Sequence, residues 1–199
     1  MDYTILVNKD NLLDSSYQVT KLVPVGKIFK SDKNTYTDED ILLEEIAAKF
    51  LKKMIQDANK IDLSVKVIPD SGYRSISYQQ EVMNYYIKKE GLAKAKKRVA
   101  TPGSSEHHTG LAIDIAIFNN GVYTDDITGK EPTIKFIHNN CYKYGFILRY
   151  PKGKEDITGY NYEPWHFRYV GTDLDSKLYN NGDWITMESY FGFTSEYDY

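Results

Sequence analysis

Ser104-Ser105-Glu106-His107-His108-Thr109-Gly110-Leu111-Ala112-Ile113-Asp114-Ile115 is the stretch whose reading decides the fold. From Leu111 onward the large apolar residues alternate. Leu111, Ile113, Ile115 and Ile117 fall on one face of a strand, and Ala112, Asp114 and Ala116 on the other, because strand side chains have a period of two. One face is therefore a core face. The other carries a carboxylate flanked by two methyl groups, with room beside it for something bulky. Gly110 lets the backbone turn just before the strand. A histidine and Asp114 brought together by that turn make two ligands of a zinc ion, and both His107 and His108 stand near enough along the chain.

A second stretch, Tyr162-Glu163-Pro164-Trp165-His166-Phe167-Arg168-Tyr169-Val170, answers the first. Trp165, Phe167 and Tyr169 alternate onto one face and leave His166 and Arg168 on the other. If the two strands are neighbours, His166 completes a set of three protein ligands. The fourth position of a tetrahedral zinc then stays open, the arrangement of a catalytic site. Glu163 lies three residues before His166, where Pro164 argues against a regular helix. In a flat strand it would face away, so it reaches the site only through a turn or bulge. From there it is the natural general base; the competing reading is a surface salt bridge.

Outward from these motifs the chain alternates strands and helices without a βαβα rhythm, which predicts an α+β class and a single domain over residues 1–199. Residues 3–7 read as a short strand, 20–30 as extended structure interrupted by Pro24 and Gly26, and 31–36 as a loop. The clearest helix is expected over 38–59, where Ile41, Leu42, Ile46, Phe50, Met54 and Ile55 recur at helical spacing behind an acidic start. Val65, Val67 and Ile68 form a strand stopped by Pro69, leading into Ser71-Gly72-Tyr73-Arg74. Helices follow over 77–89 and 92–99, the second with a run of Lys94, Lys96, Lys97 and Arg98 that reads as a solvated face. After a turn at Asn119-Asn120-Gly121, a helix is expected over 131–144, with Pro132 in its first turn and Gly145 at its end. The chain returns through 146–150, loops irregularly to 161, and closes with a short helix near Met187–Phe191 and a loose acidic tail.

The totals exclude several function classes. A chain of 199 residues with 41% hydrophobic and 27% charged residues is large enough for a real core. A net charge of −3 gives no reason to propose nucleic acid or an anionic membrane as partner. No apolar run approaches the roughly 18 residues of a membrane helix. Met1–Asn8 lacks a basic region and is too short in its apolar run for a signal peptide, so the expected location is the cytoplasm unless a leader or anchor has been trimmed. Cys141 is the only cysteine and reads as a small buried hydrophobe. The 18 tyrosines reflect composition more than a sugar-stacking cleft.

The ordered set Ser105-x-His107-x-x-Gly110-x-Ala112-x-Asp114 and Glu163-x-x-His166, with Ser71-Gly72-Tyr73-Arg74-Ser75, Gln79 and Gly145-Phe146-Ile147-Leu148-Arg149-Tyr150-Pro151, resembles the zinc D-alanyl-D-alanine carboxypeptidases of the VanY type. The VanX dipeptidases and bifunctional VanXY enzymes are related, and in size the chain is most similar to the VanXY type. The resemblance runs over about residues 65–171. It implies a small antiparallel sheet carrying one zinc ion per chain, packed with helices as in the hedgehog and D,D-peptidase folds. It assigns His107, Asp114 and His166 as metal ligands and leaves His108 beside them as a second-sphere or cleft residue; His138 receives no role.

The same resemblance implies hydrolysis of the terminal D-Ala-D-Ala bond of peptidoglycan precursor peptides, and thereby a contribution to glycopeptide resistance. Glu163 is the expected base, taking a proton from the attacking water and passing it to the leaving amine. Arg74 is expected to assist the transition state, with a structural arginine stacked on tyrosine as the plainer reading. Ser105 and Gln79 are expected at the substrate's terminal residue. Arg149 and Arg168 serve either there or as structural ion-pair partners. Carboxypeptidase and dipeptidase preference is expected to depend on the loops at 31–37 and 119–130. An L,D-carboxypeptidase, a murein endopeptidase and a non-catalytic zinc-stabilised peptide-binding module are the rivals.

Overall fold

The alternation from Leu111 to Ile117 becomes the centre of an antiparallel sheet. The computed structural model describes residues 1–14, 16–194 and 197, with Lys97 and Arg98 as backbone alone. In chain order the elements are β1 (Leu22–Lys30), β2 (Thr35–Glu44), α1 (Glu45–Ala58), β3 (Val65–Ser71), α2 (Ile76–Glu90), α3 (Leu92–Arg98), β4 (Ala112–Asn119), β5 (Val122–Thr124), α4 (Pro132–Asn140), β6 (Phe146–Leu148), α5 (Glu155–Thr158), β7 (His166–Tyr169), α6 (Asp175–Tyr179) and α7 (Met187–Phe191). The main sheet has the order β3-β4-β7-β6, with β5 paired to the far end of β4. β1 and β2 form a separate hairpin. Mixed α+β architecture is thus observed as expected.

Leu111, Ile113, Ile115 and Ile117 enter the main core together with Phe167 and Tyr169 of β7. Ala47, Leu51 and Met54 of α1 and Ile134 and Ile137 of α4 cover that face. The opposite face of the same strands therefore presents Asp114, His166 and Arg168. This division follows directly from the two-residue period. A separate small cluster of Met83, Ala95 and Val99 holds α2 against α3.

Four expectations need correction. The helix expected from residue 38 begins only at Glu45, because residues 35–44 pair with β1. Ile41 and Leu43 alternate into the core, and Asp40 sits opposite Lys27 at 2.9 Å, so the acidic run belongs to a strand face. Glu44 then caps α1, its carboxylate accepting from the N–H groups of Ile46 and Ala47. Residues 3–7 form no strand; the carbonyls of Tyr3 and Ile5 instead accept from the Arg168 guanidinium. β3 continues through Pro69, which is tolerated because β3 is the sheet's outer strand and its register shifts between Pro69 and Ser71. The helix from Pro132 tightens at Cys141 into a 3₁₀ turn that ends at Gly145.

β5, α5 and α6 are short elements beyond the sequence expectations, whereas the terminal helix falls at Met187–Phe191 as expected. Lys94 and Lys96 are exposed, consistent with a solvated face; the side chains of Lys97 and Arg98 lie outside the described residues, as does most of the tail beyond 194. Among the described residues no helix is long and apolar enough to cross a membrane.

Candidate metal centre

The sheet register assembles the site. Asp114 pairs with Ser71 on one side and with His166 on the other, so three distant motifs lie in one row across β3, β4 and β7. His107 arrives from the 3₁₀ turn Glu106–Thr109, which ends at Gly110 in the left-handed region at φ 69°. A side chain there would be strained by that backbone and would press on Val19 and Leu22. Nitrogen and oxygen atoms of His107, Asp114 and His166 lie within 4.8 Å of one another. The three residues named from sequence therefore converge.

The contacts behind these groups fit a metal. The Gly72 carbonyl accepts from His107 Nδ1 at 2.7 Å, which leaves Nε2 facing Asp114 Oδ2 at 3.3 Å. Gly72 can do this because it is pressed against β2: a Cβ would stand 2.2 Å from the Leu42 carbonyl oxygen. His166 presents Nδ1 to Asp114 Oδ1 at 2.8 Å, and its Nε2 meets Glu106 Oε2 at 3.3 Å. Each imidazole thus has one nitrogen turned to the centre and the other held from behind, the usual arrangement of histidine ligands. Burial disfavours an imidazolium at His166, but hydrogen bonds to Asp114 and Glu106 outweigh it and raise the pKa to about 10. Burial likewise opposes charge on Asp114, yet His107 and His166 hold its carboxyl well below the usual range. Two histidines and a carboxylate suit zinc.

Glu163 reaches the site through the turn its spacing requires. The N–H of His166 donates to the Glu163 carbonyl at 3.2 Å, closing a turn over Pro164 and Trp165. This places Glu163 Oε2 3.8 Å from His166 Nδ1. Burial pushes the Glu163 carboxyl up to about 7, with His166 opposing. That value suits a base working near neutral pH. His138, without a role in the sequence reading, meets the Pro164 carbonyl through Nε2 at 2.9 Å and so braces this turn.

Arg74 faces the same cleft. Its two terminal nitrogens donate to Gln79 Oε1 at 2.9 Å and Ser71 Oγ at 3.0 Å. Gln79, expected at the substrate, is completely buried and also donates to the Ala100 carbonyl, so its amide holds Arg74 in place. His108 turns away from the metal ligands: its Nδ1 meets the Arg74 carbonyl, and its Nε2 accepts from the Gly103 N–H. Ser105 lines the cleft beside Glu106 and His107. The cleft measures about 760 Å³ and is walled by α2 residues such as Tyr78, Val82 and Tyr86 and by residues 160–163. Neither 31–37 nor 119–130 contributes a lining residue, so the loops expected to set specificity lie elsewhere.

Glu106 is the residue that sequence reasoning passes over. Its Oε1 accepts from Arg149 Nε and Arg168 Nη1, both at 2.8 Å, while Oε2 faces His166. Arg149 and Arg168 are therefore ion-pair partners deep in the protein and do not face the substrate. Each guanidinium sits within an apolar run, Phe146–Tyr150 or Phe167–Val170. A buried arginine requires an acid, and that is the sequence signal that points to one.

The profile of the VanY D-alanyl-D-alanine carboxypeptidase family matches residues 40–172. YodJ of Bacillus subtilis, named as a carboxypeptidase, is 40% identical over 186 residues, covering 94% of this chain and 66% of its own. The bifunctional D-Ala-D-Ala dipeptidase and carboxypeptidase VanXYC of Enterococcus gallinarum is 32% identical, covering 96% and 94%. The chain spans about half of a 40% identical D-alanyl-D-alanine carboxypeptidase from Enterococcus faecalis (50% of that protein). Among solved structures, the LdcB LD-carboxypeptidase superposes with a TM-score of 0.79 at 39% identity, covering 96% of this chain and 86% of that one. The D,D-pentapeptidase VanY from a VanB-type resistance cassette, solved as a mutant in complex with Zn(II), superposes at 0.73 with 32% identity and covers of 96% and 99%.

Proposed function

This chain belongs to the VanY family of D-alanyl-D-alanine carboxypeptidases, and from that premise we propose that it is a zinc peptidase removing the terminal D-alanine from peptidoglycan stem peptides ending in D-Ala-D-Ala. The observation that carries the reading is the convergence of His107, Asp114 and His166 with a half-buried carboxylate, Glu163, whose Oε2 lies 3.8 Å from His166 Nδ1. A purely structural metal has no need of such a base.

When bound, zinc supplies Lewis acidity and lowers the pKa of its water to about 7. His107, Asp114 and His166 would hold it. Glu163 takes the proton released as the scissile carbonyl is attacked and delivers it to the departing amine of D-alanine. Arg74, fixed by Ser71 and Gln79, stabilises the negative charge that develops on the carbonyl oxygen. Ser105 offers a hydroxyl to the terminal residue. The 760 Å³ cleft lies within the range of about 300–1,000 Å³ typical of sites for drug-sized ligands. It has room for a peptide stem as well as for a free dipeptide.

The LdcB superposition supports a second reading, an L,D-carboxypeptidase on the same scaffold. Product analysis separates them. D-Alanine release should be measured from a pentapeptide stem, a tetrapeptide stem and free D-Ala-D-Ala, before and after a chelator and after zinc is restored. Chelator-sensitive release from the pentapeptide is the expected outcome. Release from the tetrapeptide alone would transfer the function to the second reading, and no release from any substrate by zinc-loaded protein would refute both.

A further inference from the structure

Behind the candidate ligands lies a buried charged network that continues past the segment matched by the family profile. Glu106 and Glu188 are fully enclosed, as are Arg149 and Arg168, so two acids balance two guanidiniums. Glu106 divides its carboxylate: one oxygen is anchored by both arginines, and the other is presented to His166. Arg149 is gripped in turn by Glu188 through two bonds, of 2.9 and 2.6 Å, and Asn8 donates to Glu188 at 3.0 Å. Arg168 is fixed at its other end by the carbonyls of Tyr3 and Ile5, at 3.2 and 2.7 Å. Tyr3, Ile5, Asn8 and Glu188 all lie outside residues 40–172.

Stability gives little reason for this network, since well-packed apolar side chains commonly serve as well or better than buried ion pairs. Position does give one. A histidine ligand is useful only if its ring is aimed, and a carboxylate on its outer nitrogen aims it. A carboxylate held by a single flexible cation would swing with that cation. One held by two guanidiniums, each clamped from a different end of the chain, has a single place to be.

We infer that Glu106 is the positioning residue for His166, and that the N-terminal segment and α7 hold Glu106 in place through Arg168 and through Arg149 and Glu188. The inference rests on the metal-site reading above. It makes the segments before residue 40 and after 172 part of the metal centre without supplying a ligand.

The test is zinc affinity by chelator competition, together with the visible absorption of the cobalt-substituted protein, in wild type, Glu106→Gln and Glu188→Gln. Glu106→Gln turns an amide donor toward two guanidiniums or toward His166, so the aim of the ring is lost. Folded Glu106→Gln should bind zinc about 10–100-fold more weakly, with a shifted cobalt spectrum. Glu188→Gln should show a smaller loss in the same direction. Leu51→Ala, in the core and outside the network, serves as the destabilised control and should leave both readouts unchanged. Wild-type affinity and spectrum in folded Glu106→Gln would overturn the inference while leaving the proposed function standing. An equal loss in Leu51→Ala would overturn it too, by tracing the effect to general destabilisation. If Glu106→Gln does not fold, Glu188→Gln decides by the same two readouts. Wild-type protein that binds no zinc would sink the proposed function and this inference together.

Discussion

Arg168 lies buried in the sheet behind the candidate ligands, whereas Tyr78 lines the cleft from α2, and their surroundings differ sharply. Arg168 is fully buried in the sheet wall with every guanidinium nitrogen bonded. Tyr78, on α2, is 56% exposed. The sheet wall is one continuous core with α1 and α4 behind it, whereas α2 and α3 share only Met83, Ala95 and Val99 and the residues around them. The difference separates two tasks. Groups that do chemistry must stay within a fraction of an ångström of their productive positions, and that takes dense packing and satisfied polar partners. A wall that receives peptide stems needs contact area more than precision, and segments with few buried contacts open most readily.

Substitutions on the two walls should therefore fail in different ways. The largest effect is expected at Glu163. Glu163→Gln should lower kcat by about 10²–10⁴-fold, the range for losing a general acid–base group, while bound zinc measured by metal analysis stays at the wild-type level. Loss of the metal along with activity would show that Glu163 acts as a ligand and would blur the division of roles within the sheet wall.

Stability comes next. Leu51 is 1% exposed in the main core, and Leu51→Ala should cost about 2–5 kcal/mol of global stability in denaturant unfolding. Met83→Ala, at 3% exposure in the small cluster, should act mainly on α2 and α3. It should raise amide hydrogen exchange there while leaving the main transition nearly in place. Equal shifts of the main transition by both variants would mean that the two walls unfold as one unit. The smallest effect is expected at Tyr78, where Tyr78→Ala should raise KM for a pentapeptide stem several-fold at unchanged kcat, the signature of lost uniform binding. A fall in kcat of similar size would place α2 within the chemical machinery.

Much of the sheet wall is legible in the sequence. The alternation through Leu111–Ile117 and Trp165–Tyr169 predicts which side chains enter the core and which face the site. The structure agrees for Leu111, Ile113, Ile115, Ile117, Phe167 and Tyr169 in the core and for Asp114 and His166 at the site, while Trp165 borders the cleft and Arg168 is buried behind it. The turn that the spacing of Glu163 and His166 requires is present. The start of α1 is not legible. Asp38-Glu39-Asp40 suits a helix N-terminus and a strand face equally well by composition, and only pairing with Lys27 and its neighbours decides for the strand. The walls of the cleft are not legible either, because which loops surround a site depends on where the sheet sends them.

Residue types and their local periods are properties of a few consecutive positions, so the sequence by itself singled out the candidate ligands Asp114, His166 and the His107-His108 pair, with Glu163 as a candidate base, and the strand faces of Asp114 and His166. Partnership across long separations was decided by the tertiary structure alone. Asp114 stands opposite His166, and Glu106 meets arginines clamped from both ends of the chain. The physical reason is burial. An enclosed charge or imidazole must find a partner, and which partner it finds depends on the packing of segments that carry no mark of one another.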